Sequence, residues 1–207
     1  KSLLLYAVTD RRWSNNDTFY KHIEESLEGG VTFLQLREKN LDTDSFFKEA
    51  IKIKELCKKY NVPFIINDNA EIALKSNADG IHVGQDDMGV KEVRKLIGKD
   101  KILGVSVQTV EQALLAQSQG ANYLGVGSIF TTTSKDDAKS VSINTLKEIC
   151  NAVNIPVVAI GGIDKDNVKQ LSQTGISGIA VISAIYANKN IKSATMKLKE
   201  LIKEIIK

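Results

Sequence analysis

Short, continuous apolar runs alternate with amphipathic stretches from one end of the chain to the other. The runs fall at residues 3–9, 32–36, 63–67, 80–83, 102–107, 123–129, 157–160 and 178–182. The amphipathic stretches lie near 18–28, 43–60, 69–76, 90–98, 109–119, 143–152, 164–174 and 190–206. In the second of these, Phe46, Phe47, Ala50, Ile51, Leu56 and Cys57 recur at helical spacing behind a cap at Asp42. In the last, Ile191, Ala194, Leu198, Leu201, Ile202 and Ile205 share one side and lysines the other. Strand and helix signals in strict alternation imply an α/β protein with a parallel sheet. Short runs without polar interruption fit strands covered on both faces. At roughly 25 residues per unit, the pattern favours a compact (β/α)8 TIM barrel, with a doubly wound open sheet as the alternative. Gly29-Gly30, Ala78-Asp79-Gly80, Gly120-Ala121-Asn122 and Gly175-Ile176-Ser177-Gly178 precede runs, where a glycine would end the helix and turn the chain back. No linker or low-complexity segment interrupts the rhythm, so residues 1–207 read as one barrel domain.

The second run ends unusually, as Gln35-Leu36-Arg37-Glu38-Lys39. A strand has a side-chain period of two, so Gln35, Arg37 and Lys39 share a face. Two cations and an amide aimed at one point suit an anion with several oxygens, such as a pyrophosphate. The competing reading of this stretch is a solvated strand end with two ordinary surface cations.

In barrel enzymes the site lies at the C-terminal ends of the strands. The residues there are polar throughout: Thr9-Asp10-Arg11-Arg12, Arg37 and Lys39, Asn67-Asp68-Asn69, Gly84-Gln85-Asp86-Asp87, Ser106, Gly127-Ser128-Ile129-Phe130-Thr131-Thr132-Thr133-Ser134-Lys135, Gly161-Gly162 and Ser183-Ala184. Asp68 and Asp87 close neighbouring strands, and two carboxylates beside an anion site suit Mg²⁺. Taken singly, Asp68 reads as a helix cap and Asp87 as a loop carboxylate in water. Gly161-Gly162, with Ile182-Ser183 opening a short helix, is a recurring kind of place for a phosphate monoester. The hydroxyl-rich segment 131–135 reads as a lid whose Lys135 would reach a pyrophosphate, or else as a solvated loop. His82 reads as structural. No nucleophile elbow, dinucleotide fingerprint or Walker motif is present. Two anion pockets and a metal, without a nucleophile or general base, suit a reaction in which pyrophosphate leaves and a second phosphorylated substrate attacks with its own lone pair.

Composition narrows the classes further. With 43% hydrophobic and 26% charged residues and a net charge of +3, the chain gives no reason to expect a nucleic acid or membrane partner. No apolar stretch approaches a bilayer span and no secretory signal is visible, and Cys57 and Cys150 read as reduced thiols. The expected location is cytoplasmic.

The chain resembles the thiamine phosphate synthase family over nearly its whole length. The resemblance is carried by Leu5-Tyr6-Ala7-Val8-Thr9-Asp10, Gln35-Leu36-Arg37-Glu38-Lys39, Asn67-Asp68, Ala78-Asp79-Gly80-Ile81-His82-Val83-Gly84-Gln85-Asp86-Asp87, Gly104-Val105-Ser106, Gly127-Ser128-Ile129-Phe130, Ala159-Ile160-Gly161-Gly162-Ile163 and Val181-Ile182-Ser183-Ala184-Ile185. It implies a (β/α)8 barrel that joins a pyrimidine diphosphate to a thiazole phosphate. It also implies that Gln35, Arg37, Lys39, Asn67, Ser106 and Lys135 hold the diphosphate substrate, with Arg37, Lys39, Ser106 and Lys135 as the catalytic set. Asp68 and Asp87 would hold Mg²⁺. Thr132, Thr133, Ser134, Gly162, Ile182 and Ser183 would hold the thiazole phosphate. Its partners would be small phosphorylated molecules, and a homo-oligomer is left open.

Two departures stand out. Ser134 replaces a usual threonine, and Ser140-Val141-Ser142-Ile143 lacks a glycine common just past the loop. The competing functions are a thiazole tautomerase on the same barrel, a non-catalytic barrel that has kept the pocket, and another phosphate-binding barrel. The tautomerase branch relies on a histidine near the strand 6 loop, and none lies between Asn122 and Lys135.

Overall fold

The structure is a computed structural model that describes residues 2–15, 17–132 and 140–206. Eight parallel strands close into a barrel in sequence order: β1 (Leu5–Val8), β2 (Phe33–Leu36), β3 (Phe64–Asn67), β4 (Gly80–Val83), β5 (Ile102–Val107), β6 (Tyr123–Val126), β7 (Val157–Ile160) and β8 (Gly178–Val181). Closure is completed by β8 pairing with β1, with Ala180 opposite Tyr6. The open-sheet alternative is thereby excluded.

Around the barrel lie α1 (Phe19–Glu28), α2 (Thr43–Lys59), α3 (Ala70–Lys75), α4 (Val90–Ile97), α5 (Val110–Ser118), α6 (Ile143–Ala152), the single turn α7 (Ser183–Tyr186) and α8 (Ile191–Ile205). The helix expected over 164–174 is only a 3₁₀ turn at Val168–Leu171. There Asp164 Oδ1 accepts from the backbone N–H groups of Asp166 and Asn167, and Ser172 leaves the turn in an extended conformation. Side chain–backbone bonds of this kind compete with helix growth. The sixth strand stops at Val126 rather than 129, and Ile129 and Phe130 donate to the carbonyls of Ile160, the last residue of β7, and Gly161 just after it. Asp42 caps α2 as expected, its side chain accepting from the Ser45 N–H.

Strand alternation sorts the apolar residues into two cores. Leu5, Ala7, Leu34, Leu36, Ile66, Ile81 and their equivalents face outward against the helices. Tyr6, Val8, Phe33, Ile65, Tyr123, Val158 and Ala180 fill the barrel interior. Three aromatics pack edge to face there, with ring centroids 4.8 Å apart for Tyr6–Phe33, 6.0 Å for Tyr6–Tyr123 and 5.8 Å for Phe33–Tyr123. Gly104 makes room for the third, since a Cβ there would lie 2.1 Å from the Tyr123 ring.

Several chain-reversing glycines act as expected. Gly30, Gly120 and Gly175 hold φ of 100°, 95° and 86°. The end of α3 is turned instead by Asn77, at φ 51°. Gly80 and Gly178 are required by close backbone approach. Both cysteines are free, and burial together with Asp79 pushes the Cys57 thiol up to about 12. No helix among the described residues is long and apolar enough to cross a membrane.

A Cβ on Gly178 would stand 1.8 Å from the Leu3 carbonyl oxygen, where only backbone movement gives relief. Gly178→Ala is therefore expected to cost on the order of 3 kcal/mol of stability by urea denaturation. Gly89→Ala, whose new methyl meets nothing closer than Glu92 Oε2 at 3.6 Å, is expected to cost less than about 1 kcal/mol.

Candidate active site

A cavity of about 680 Å³ opens at the C-terminal ends of the strands. Its floor is the top of the barrel interior: Tyr6, Val8, Val158, Ile160 and Ala180. Its wall gathers most of the residues singled out in the sequence. Gln35, Arg37, Lys39, Asn67, Asp68, Asp87, Ser106, Thr132, Gly162, Ile182 and Ser183 all line it. Thr133, Ser134 and Lys135 lie outside the described residues, so their placement in the site rests on sequence alone.

Each wall residue is held by its own strand end. Gln35 is the inward residue of β2 and is almost fully buried. Arg37 follows it; its N–H donates to Thr9 Oγ1 at 3.0 Å, and its guanidinium lies 3.8 Å from Asp10. Burial alone would raise the Asp10 carboxyl. Hydrogen bonds from Arg12, and the Arg12 and Arg37 charges, outweigh this and hold it below the usual carboxylate range. Arg11 belongs elsewhere: its Nε donates to both Glu38 oxygens, at 2.8 and 3.0 Å, and its guanidinium sits over Phe19. Neither Arg11 nor Arg12 lines the cavity, so the basic pair after β1 supports the wall rather than forming it.

Asp68 is not a helix cap; Asn69 caps α3 through the Ile72 N–H. Asp68 takes a left-handed backbone conformation, φ 62°, and its N–H donates to the His82 carbonyl at 2.8 Å. This turn aims its carboxyl across the mouth to within hydrogen-bond contact of Asp87. The Asp87 carboxyl is braced by the Gly84 N–H at 2.6 Å, and Asp68 by the Asn67 amide at 2.5 Å.

Water reaches both aspartates, yet protein atoms crowd Asp68. That crowding, and then the touching Asp87 carboxylate, raise Asp68 to about 7, against the opposing pull of Asn67 and Arg37. A carboxylate pair that resists double ionisation is what a divalent cation relieves. Hard oxygen donors beside Arg37 and Lys39 fit Mg²⁺, which is commonly held by one or two carboxylates and a substrate's phosphates. Among the described residues no cluster of three or more His, Cys, Asp or Glu side chains is present to form an all-protein metal cage.

On the far side, Gly161 and Gly162 turn at φ 100° and 63°. A Cβ on either would strike the β6 loop, at Ser128 Oγ (2.1 Å) or the Thr131 carbonyl (2.4 Å). Asn167 ties down the Gly162 carbonyl at 2.7 Å. The Ser140–Ile143 departure has a structural role here: Val141 is buried and donates to Ser128, and Ser142 caps α6 through the Thr145 N–H.

Sequence reasoning missed two contributors, Tyr6 and His82, whereas Gln85 was among the strand-end residues it named. Tyr6, His82 and Gln85 also line the cavity. His82 bonds to Ser106 Oγ at 2.9 Å, and Gln85 to the Ser106 carbonyl at 2.6 Å. The available signal was the strand period: Tyr6 and His82 occupy inward positions.

The sequence profile of the thiamine monophosphate synthase family matches residues 5–185. The chain belongs to the thiamine monophosphate synthase family. It is 56% identical to a thiamine-phosphate synthase of Clostridium tetani over 94% of this chain and 93% of that protein. It is 51% identical to one of Methanobrevibacter smithii, over 95% and 93% respectively. The solved structure of thiamine phosphate pyrophosphorylase from Pyrococcus furiosus superposes with a TM-score of 0.92 at 38% identity, covering 100% of this chain and 98% of that one. Membership of this family makes the protein a transferase and accounts for the barrel with polar strand ends.

The raised Asp68 carboxyl has a pH consequence. Its folded value lies above its unfolded one, so between about pH 4 and 7 the folded state binds the extra proton, and stability falls as pH rises through that window. In chelator, wild-type protein should lose stability relative to Asp68→Asn as pH climbs from 4 to 7.5. Mg²⁺ should restore it above pH 7 in wild type only. Parallel stability–pH curves for the two proteins would contradict the assigned carboxyl contact.

Proposed function

We propose that this chain joins 4-amino-5-hydroxymethyl-2-methylpyrimidine diphosphate to 4-methyl-5-(2-hydroxyethyl)thiazole phosphate, giving thiamine phosphate and pyrophosphate. The observation that carries the reading is the gathering of Arg37, Lys39 and the touching Asp68–Asp87 pair on one cavity. Family membership supports it.

In this reading Gln35, Arg37, Lys39, Asn67 and Ser106, with Lys135, bind the pyrimidine diphosphate. Gly162, Ile182 and Ser183, with Thr132, Thr133 and Ser134, bind the thiazole phosphate. Asp68 and Asp87 hold Mg²⁺, which when bound neutralises charge on the diphosphate. Arg37 and Lys39 stabilise the charge that builds on the leaving group. The bond between the methylene carbon and the diphosphate oxygen breaks, and its electron pair leaves with pyrophosphate. The electron-rich aminopyrimidine spreads the positive charge of the methylene group. The thiazole nitrogen then forms the new bond with its own lone pair. No proton changes hands, so the chemistry needs no base. The apolar cavity floor, Val8, Val158 and Ala180, would exclude water from the cation. A cytoplasmic location and small phosphorylated partners belong with this reading.

Purified protein with both substrates and Mg²⁺ should form thiamine phosphate, detectable as fluorescent thiochrome after oxidation. Product should vanish without thiazole phosphate or with chelator. Arg37→Ala and Asp68→Ala should each lower kcat/KM at least about a hundredfold with unchanged circular dichroism. Normal turnover in either variant would remove the assigned diphosphate–metal site. Saturable thiazole phosphate binding without product would turn the reading towards the tautomerase.

A further inference from the structure

A chain of side-chain hydrogen bonds crosses the barrel beneath the cavity, and the reaction described above makes no use of its middle members, Tyr6, Tyr123 and His82. Gln35 Nε2 donates to the Tyr6 hydroxyl. The Tyr6 and Tyr123 hydroxyls are 2.9 Å apart. Tyr123 lies 2.8 Å from His82 Nδ1, and His82 Nε2 lies 2.9 Å from Ser106 Oγ. Both tyrosines are only 1% exposed, so water cannot replace a missing partner. The two ends, Gln35 and Ser106, line the cavity, whereas Tyr123 does not.

Counting protons gives the chain a direction. Burial raises both phenols well above their ordinary value, so each keeps its single proton. Tyr6 receives the Gln35 N–H and therefore gives its own proton to Tyr123. Tyr123 then gives its proton to His82 Nδ1. With Nδ1 accepting, a neutral imidazole carries its proton on Nε2 and donates to Ser106 Oγ. Ser106 is left with its own proton to offer the cavity, and Gln35 with Oε1 to accept. The reverse sense would exchange donor and acceptor at both ends. The backbone makes space for the chain: a Cβ on Gly125 would lie 3.2 Å from the His82 ring, and one on Gly104 would strike Tyr123.

We propose that Tyr6, Tyr123 and His82 form a one-way hydrogen-bond chain that positions Ser106 as a donor and Gln35 as an acceptor towards the cavity in which the pyrimidine diphosphate would bind. The kinetic part of this proposal rests on the function proposed above; the direction of the chain does not. Tyr123 is the informative residue, because it reaches the cavity only through others.

Two measurements test it. The chain has two histidines, His22 and His82. Imidazole ¹⁵N spectra of the ligand-free protein, assigned with His22→Gln, should show the His82 proton on Nε2. A proton on Nδ1 would overturn the proposal whether or not the protein turns over. In kinetics, Tyr123→Phe should lower kcat/KM for the pyrimidine diphosphate roughly tenfold while KM for the thiazole phosphate holds. Ser106→Ala with Tyr123→Phe should lose little more than Ser106→Ala alone, since the tyrosine acts through the serine. Losses that multiply, or a Tyr123→Phe enzyme equal to wild type, would overturn it. A wild-type protein that makes no thiamine phosphate would count against the proposed function instead, and the ¹⁵N spectrum would still decide the direction. Should Tyr123→Phe not fold, the wild-type spectrum decides alone.

Discussion

The unbroken ring of parallel backbone pairing from β1 to β8 and back to β1 decides, level by level, which side chains face inward. At the lower levels nothing but other side chains is available, and Phe33, Ile65 and the aromatic trio fill the space. Two residues further along, the same inward direction meets the cavity: Phe33 gives way to Gln35 and Ile65 to Asn67, and His82 and Ser106 face it from β4 and β5. Core and site are therefore successive levels of a single alternation. The helices satisfy the other half of it, covering the outward Leu, Ile and Val residues.

The electrostatics follow from this convergence. Side chains from separate strands are brought closer than their charges favour. The contact between Asp68 and Asp87 is held in place by Asn67, the Gly84 N–H and a left-handed turn at Asp68. Such an arrangement stores unfavourable charge until a cation or a cationic side chain arrives. Asp10 shows the opposite outcome a few ångströms from the Arg37 guanidinium, where two arginines keep a buried carboxyl ionised.

Much of this was legible in the sequence, because strand period and strand order together locate the mouth. Gln35, Arg37 and Lys39 sit two residues apart, and that spacing alone places them on one face. Asp68 and Asp87 could be paired because their strands are consecutive. The elements misread are those where local bonds override the pattern. Residues 164–174 carry helical spacing, yet the Asp164 side chain takes up backbone N–H groups at the start of the turn. Arg11 and Arg12 follow a strand like the site residues do, but Asp10 caps a 3₁₀ turn at Arg11–Trp13 that carries them and sends them to Glu38 and Asp10 itself. Tyr6, Tyr123 and His82 were passed over for a different reason. An aromatic at an inward position looks the same whether it only packs or also passes a hydrogen bond to its neighbour, and only the 2.8–2.9 Å contacts separate the two cases.

The spacing of Gln35, Arg37 and Lys39 also bears on how such a chain can change in length. A single residue inserted into β2 would rotate that trio into the helical layer and bring Leu36 and Glu38 to the mouth, so this strand is closed to insertion and deletion. The turn after α4 is at the opposite end of the barrel, and a Cβ on Gly98 would meet nothing within 4 Å. Length can accumulate at such a turn without a reading-frame shift in the site. The barrel therefore has one end where sequence is counted residue by residue and another where it is not.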